Sequence, residues 1–183
     1  SEPYLVTLPY GVITVTDTAE QGLARFNDDK GMLDLESLVR QGDFRVGVPF
    51  GRSMGVRYSR MIESMKGSPG LFMRQGAVGA RGLLEMLFSG RIDAMVGFPT
   101  EVNYVMRQMG RDPSLLGFHP VRGGDPATFL YFGCSNSSLG ERVISRLNPY
   151  LVANRGRYAK IYEAWLNEST RRRYLREIRP LLR

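Results

Sequence analysis

Short apolar runs and helix-spaced apolar stripes alternate along this chain. The runs that predict strands occupy residues 44–48, 71–74, 92–98, 115–121 and 128–134. A further strand is predicted over residues 5–15, interrupted by Pro9 and Gly11. Between the runs, apolar residues recur every three or four positions, as they do over residues 80–87, and predict helices. Strands that alternate with helices are typical of βαβ units, so the pattern predicts an α/β fold with a mainly parallel sheet.

Two of the predicted strands run into a turn that begins a helix. The first of these junctions covers residues 45–53 and the second covers residues 90–101. In a parallel sheet, two such junctions at one edge direct two helix N-termini towards the same crevice. Helix N-termini carry free backbone N–H groups and a partial positive charge. The crevice is therefore suited to a small anionic or zwitterionic solute.

The net charge of +7 lies almost entirely at the C-terminal end of the chain. Nine of the 25 basic residues but only three of the 18 acidic residues fall within residues 155–183, so this segment carries +6. The nearly neutral remainder makes a nucleic-acid-binding fold a weak alternative. We interpret the basic helix at residues 170–176 as the solvated face of a packed helix, with contact to anionic lipid or nucleic acid as the alternatives.

The sequence carries no recognised enzyme signature. G-x-S-x-G, H-E-x-x-H, C-x-x-C and a Walker loop are all missing. The single histidine, His119, has no evident second metal ligand, and the single cysteine, Cys134, is expected in the core of a strand. We therefore expect a protein that is not an enzyme and that uses no cofactor and no metal.

Five segments together resemble one protein family, in the family's order and spacing. They read EPYLV (residues 2–6), LESL with RVGV (35–38 and 45–48), GRS (51–53), SGRIDA (89–94) and AKIYEAWL (159–166). In this respect the chain resembles the extracellular solute-binding proteins of family 3, which serve amino-acid ABC transporters. The resemblance covers residues 2–166 and implies a type II periplasmic-binding fold, in which a three-layer α/β/α lobe is followed by C-terminal helices.

The resemblance also implies a division of the chain. Residues 1–15 correspond to the hinge strand that enters lobe 2, residues 16–135 to lobe 2 with the return hinge strand, and residues 136–183 to helices that normally dock on lobe 1. Most of lobe 1 has no counterpart in these residues. We therefore expect exposed apolar surface over residues 139–182, or its burial in a homodimer.

Candidate ligand contacts lie at the two junctions. The loop of Gly51, Arg52, Ser53 and Met54 resembles the family loop that holds the ligand carboxylate, although Ser53 could simply cap a helix. At the second junction the candidates are Phe98, Thr100 and Glu101. Phe98 occupies the position where relatives that bind α-amino acids place an aspartate. Its ring could stack on a ligand or hold a cation, and Glu101 could supply the negative charge or simply favour the helix dipole.

These features predict a solute-binding component of an ABC-type importer, which captures a small polar or amino-acid-like solute in an interlobe cleft. Its expected partners are that solute and a membrane permease. The resemblance implies a periplasmic location after export, with a signal peptide outside these residues. A periplasmic sensory domain of a signalling receptor is one alternative, and a basic nucleic-acid-binding or regulatory effector domain is another.

Overall fold

The computed structural model describes residues 1–16, 22–52, 54–74 and 79–182. Its contacts divide the chain into two compact units. Unit 1 comprises Ser1–Leu8 with Pro126–Arg183, and unit 2 comprises Pro9–Asp125. The chain therefore passes from one unit to the other after residue 8 and again after residue 125, whereas the sequence placed its divisions after residues 15 and 135. The hinge and lobe roles given to those segments stay predictions.

Unit 2 contains a five-stranded sheet flanked by four helices in the part of the chain that is described. The strands are β2 (Gly11–Val15), β3 (Val46–Pro49), β4 (Leu71–Arg74), β5 (Ala94–Gly97) and β6 (Leu116–His119). The helices are α1 (Leu35–Gln41), α2 (Val56–Ser64), α3 (Gly79–Phe88) and α4 (Pro99–Gln108). Short 3-10 turns cover Ala24–Phe26 and Pro113–Leu115.

The sheet has the strand order β4-β3-β5-β2-β6. β3 pairs in parallel with both β4 and β5, while β2 pairs antiparallel with β5 and with β6. β6 therefore runs in the same direction as β3, β4 and β5, and only β2 runs against them. This confirms the predicted mainly parallel sheet, and the reversed β2 is an addition that was not predicted. The strand predicted over residues 5–15 is split, because β1 (Leu5–Thr7) ends before Pro9 and pairs in unit 1.

Two buried apolar clusters cover the two faces of this sheet. Adjacent strand residues alternate between them: Val12 lies in one cluster and Ile13 in the other, and Ala94 and Val96 likewise face away from Met95. Helices α1 and α2 contribute to the first cluster, and α3 and α4 contribute to the second. This confirms the predicted three-layer α/β/α arrangement and explains why β5 is buried at every position.

Unit 1 is a two-stranded antiparallel sheet with helices. β1 pairs with β7 (Thr128–Leu130), and the helices are α5 (Ser138–Ala153), α6 (Arg155–Glu163) and α7 (Glu168–Arg173). A π-helical turn at Tyr174–Ile178 and a 3-10 turn at Arg179–Leu182 follow. The strand predicted over residues 128–134 is shorter than expected. The prediction that Cys134 belongs to the core is wrong, because the residue follows the end of β7 and is exposed.

Large apolar side chains are exposed on unit 1, as expected for residues 139–182. Leu139 is 62% exposed, Tyr150 56% and Ile161 53%. They belong to a longer set that also includes Val143, Val152, Trp165, Leu175 and Leu181. Most of these side chains lie on α5 and α6. Among the described residues, every helix is too short or too polar to cross a membrane.

An ion pair joins the starts of the two central parallel strands. Arg45 Nε and Nη2 donate to the two carboxylate oxygens of Asp93 at 3.0 and 2.9 Å, and the Arg45 backbone N–H donates to the same carboxylate at 2.8 Å. These hydrogen bonds from Arg45 hold the pKa of Asp93 below its ordinary value. Asp93 belongs to the SGRIDA segment, so this motif has a structural role in fixing the register of β3 and β5.

Asp93→Asn is expected to lower the melting temperature at neutral pH. A carboxyl with a depressed native pKa stabilises the fold above its unfolded pKa of about 4, and this contribution is lost as the pH falls through the native value. The gap between the melting curves of the two proteins should therefore close in acid, which calorimetry between pH 7 and pH 3 measures. Asp29→Asn, in an exposed turn, is the control for loss of charge. A gap of constant size over this range would contradict the assigned role.

Candidate functional site

The carboxyl ends of β3 and β5 form the framework of the candidate site. The two strands pair in parallel, with Val46 opposite Ala94 and Gly47 opposite Met95, so their ends lie at the same edge of the sheet. The chain then leads through residues 50–55 into α2, and through Phe98 directly into α4. The two predicted junctions are therefore side by side, as the pattern of the sequence indicated.

An ion pair bridges the two junctions. Arg52 Nη1 donates to Glu101 Oε1 at 2.5 Å, over a separation of 49 residues. The two side chains are partly exposed, at 43% for Arg52 and 28% for Glu101. The hydrogen bond to Glu101 raises the pKa of the Arg52 guanidinium. The sequence placed these residues separately, and the structure brings them together as one pair of opposite charges that solvent reaches.

Two aromatic residues border this pair. The ring of Phe98 lies 5.5 Å from that of Tyr10, measured between ring centroids. Burial raises the pKa of the Tyr10 hydroxyl, and the nearby Arg52 and Glu101 lower and raise it respectively. Tyr58 holds this part of the chain in place, because its hydroxyl donates to the backbone carbonyl of Tyr10 at 2.7 Å. The edge therefore combines a cation, an anion and two aromatic rings.

Both helices at this edge begin without a side-chain cap. The residue before α2 is Gly55, at φ +88°, and the residue before α4 is Phe98. Neither makes a capping hydrogen bond through its side chain. Backbone N–H groups of such a first turn are available to an anionic group. In α4 the first turn also contains Glu101, whereas the first turn of α2 contains no acidic residue.

A carboxylate of the protein lies beside the start of α2. A Cβ added to Gly55 would be 2.8 Å from Asp125 Oδ2, and Asp125 Oδ1 is 3.5 Å from Arg57 Nε. The pKa of the buried Tyr58 hydroxyl is raised by its burial and further by Asp125. The negative charge of Asp125 therefore already complements the positive end of α2. Arg52 is likewise already paired, with the carboxylate of Glu101.

The remaining predicted site residues are Gly51, Ser53, Met54 and Thr100. Gly51 is exposed with φ +71°, where a residue without a side chain is favoured. Thr100 is half-buried in the first turn of α4. The side chain of Met54 is buried in the core, so only its backbone could reach a ligand. Ser53 lies outside the described residues, and the residue that precedes α2 is Gly55.

Two residues of this edge were not found by sequence reasoning. Tyr10 follows a proline between two short strands, and Asp125 belongs to a turn, so neither lies at a recognisable strand-to-helix junction. Only the folded sheet brings them to the edge. Within the described ranges, no group of three or more His, Cys, Asp or Glu side chains is arranged to hold a metal ion.

Comparison with solved structures identifies the fold. The periplasmic binding protein XoxJ from Methylobacterium extorquens AM1 matches with a TM-score of 0.57 at 14% identity, over 90% of this chain and 69% of that one. The ancestral amino-acid-binding protein AncCDT-1, a precursor of cyclohexadienyl dehydratase, matches with a TM-score of 0.51 at 16% identity, over 91% and 61%. An amino acid ABC transporter substrate-binding protein from Streptococcus pneumoniae, bound to L-arginine, matches with a TM-score of 0.51 at 18% identity, over 90% and 59%.

This chain spans between 59% and 69% of the length of these three proteins. No family model matches the sequence, and no curated protein matches it. The likeness thus rests on the structure together with the order of the five sequence segments. All three matched proteins are named as binding proteins. The chain has the fold of the type II periplasmic binding proteins.

Proposed function

We propose that this protein binds a small zwitterionic solute of the amino-acid class at the edge formed by Arg52, Glu101, Phe98 and Tyr10. The observation that carries this proposal is the partly exposed Arg52–Glu101 pair between two helix N-termini. A zwitterion carries the same two charges, so its carboxylate can replace Glu101 at Arg52 while its ammonium group binds Glu101. The exchange leaves no charge unpaired.

A phenylalanine at position 98 is compatible with recognition of an ammonium group when Glu101 is the acidic partner. The negative charge that relatives place at this position is supplied by Glu101, three residues further along the chain. The Phe98 ring, which is partly buried and next to Tyr10, can contact the side chain or the cationic group of the solute. The solute class is therefore proposed from the charge pair and not from the family position.

We propose a non-enzymatic role for this site. The solute would be captured for an ABC-type importer, after export of the protein to the periplasm, with the permease as the membrane partner. The names of the matched binding proteins support this role. The exposed apolar side chains of α5 and α6 support a second contact, in which this face is covered by another protein surface such as a second copy of the chain.

A matched set of ligands tests the solute class. Phenylalanine, 3-phenylpropionate and phenethylamine share one side chain and differ only in which charges they carry. We expect thermal stabilisation by the amino acid and little by either single-charge analogue. A ligand at about 100 times its Kd stabilises the fold by about 2.7 kcal/mol, a shift of several degrees. A wider panel of amino acids then defines the side-chain preference.

Three variants connect this binding to the site. Arg52→Gln should remove the gain in affinity that the carboxylate of the amino acid provides. Glu101→Gln should remove the gain that its ammonium group provides. Arg81→Gln is the matched control, because Arg81 pairs with Glu85 on the exposed face of α3. Binding that is unchanged in both Arg52→Gln and Glu101→Gln would place the solute elsewhere. A folded protein that no amino acid stabilises would overturn the proposed function.

A further inference from the structure

A cavity of about 360 Å³ lies within unit 1, whereas the proposed solute site belongs to unit 2. It is enclosed by the first turns of α6, by the π-helical and 3-10 turns at residues 174–182, and by Val6 of β1. Its volume is at the lower end of the range found for small-molecule sites. Every residue that lines it belongs to unit 1.

Tyr174 lines this cavity and is fully buried. Its hydroxyl is the one buried side-chain polar atom that has no hydrogen-bond partner among the described residues. The pKa of this hydroxyl is raised to about 12, mainly by burial and also by Glu163, against a lowering by Arg179. The hydroxyl is therefore a neutral donor at ordinary pH. A buried donor without a partner is unfavourable unless a bound molecule supplies an acceptor.

Arg155 supplies a positive charge that is poorly compensated. Its Nε and Nη2 donate to the backbone carbonyl of Pro3 at 3.0 and 2.9 Å, so both bonds go to a neutral acceptor. The carboxylate paired with it is that of Glu2, at 4.0 Å, and the Glu2 side chain is 60% exposed. Arg155 is also the first residue of α6, whose first turn contains no acidic residue and no side-chain cap. A cation at this end of a helix is unfavourable without a nearby anion.

The second arginine of the cavity is balanced within the protein. Arg179 Nη1 donates to Glu163 Oε1 at 2.9 Å, and the Glu163 side chain is only 11% exposed. Arg155 is therefore the less well compensated of the two cations, since its paired carboxylate, Glu2, is 4.0 Å away and 60% exposed. The remaining wall is apolar, formed by Val6, Leu175 and Leu182 among others. A weakly compensated cation, an unpartnered donor and an apolar wall together suit a monoanion with a nonpolar chain.

We propose that this cavity is a second binding site, which takes an organic monocarboxylate with a nonpolar chain. Arg155 supplies the charge for the carboxylate, with Arg179 as the second cation of the wall. The Tyr174 hydroxyl donates to an acceptor atom of the ligand, and the nonpolar chain contacts Val6, Leu175 and Leu182. The site is independent of the edge at Arg52, since the two share no residue.

Titration calorimetry of the full chain with octanoate, 1-octanol and acetate tests the site. Octanoate should bind. Because 1-octanol lacks the charge and acetate lacks the chain, each of these two should bind at least tenfold more weakly than octanoate. Tyr174→Phe and Arg155→Gln should each weaken octanoate about tenfold. Tyr150→Phe and Arg157→Gln are the matched controls, because both residues are exposed parts of unit 1 outside the cavity, and neither should change the affinity.

The ligand-free protein provides a second readout that does not depend on octanoate. Tyr174→Phe removes a buried hydroxyl that has no partner, so its melting temperature should rise above that of the parent protein. A lower melting temperature would show that the hydroxyl is already bonded within the fold and would overturn the proposal. Equal octanoate affinity in the parent, Tyr174→Phe and Arg155→Gln would also overturn it, as would 1-octanol that binds as tightly as octanoate.

Discussion

Gly70→Ala is expected to destabilise unit 2 by about 3 kcal/mol or more. The Cβ of alanine would lie 2.5 Å from the carbonyl oxygen of Phe44 and 2.6 Å from that of Val39. Both contacts are with backbone, so no side chain can rotate to make room. Gly70 also donates its N–H to the Val39 carbonyl at 3.1 Å and accepts from the Val46 N–H at 2.7 Å. Relief of the clash would therefore break hydrogen bonds at the start of β3.

Urea unfolding followed by circular dichroism measures this effect. Tryptophan fluorescence is less suitable, since the single tryptophan, Trp165, belongs to unit 1. Ser68→Ala is the control in the same loop, because it shortens a side chain and adds no atom, and it should change stability by no more than about 0.5 kcal/mol. If Gly70→Ala unfolds within 1 kcal/mol of the parent, the close approach of these three backbone segments is not a requirement of the fold.

The layers of unit 2 could be predicted because local patterns determine them. The run at residues 92–98 is apolar at almost every position, as expected for a strand covered on both faces, and β5 is buried throughout. The reversed direction of β2 was not predictable in the same way. Strand direction depends on pairing with β5 and β6, which lie about 80 to 100 residues away in the chain, and no local pattern encodes it.

The candidate site shows the same contrast. The two junctions were predicted from strand-to-helix transitions, which are local. The pairing of Arg52 with Glu101 depends on the register of β3 against β5, and the position of Tyr10 depends on where β2 enters the sheet. Sequence reasoning therefore found the elements that build the site but not the ion pair at its centre. Whether Glu101 contacts a ligand or only favours the helix dipole stays a prediction, which the Glu101→Gln variant tests.

A carboxylate of the protein itself compensates the positive end of helix α2. Asp125 lies beside the start of α2. Arg52 and the start of α4 are balanced in the same way by Glu101. The edge therefore offers a solute fewer favourable contacts than two helix N-termini without nearby carboxylates would offer. A solute would be held mainly by the charge pair, and its affinity should depend strongly on both members.

Leu84→Ala should produce the second large loss of stability, about 3 kcal/mol. Leu84 is fully buried in α3, within the apolar cluster that joins α3 and α4 to the sheet. Its truncation leaves a cavity between a helix and strands that neighbouring side chains cannot fill without moving the backbone. Leu115→Ala, at a position 41% exposed in the same unit, removes the same atoms and should have a much smaller effect.

Urea titrations of both variants give the two losses directly, and an unchanged m-value would show that the difference arises in the folded state. Equal losses would mean that the second cluster does not hold α3 against the sheet, and the junction that presents Glu101 would then lack the rigid support on which the proposed site depends.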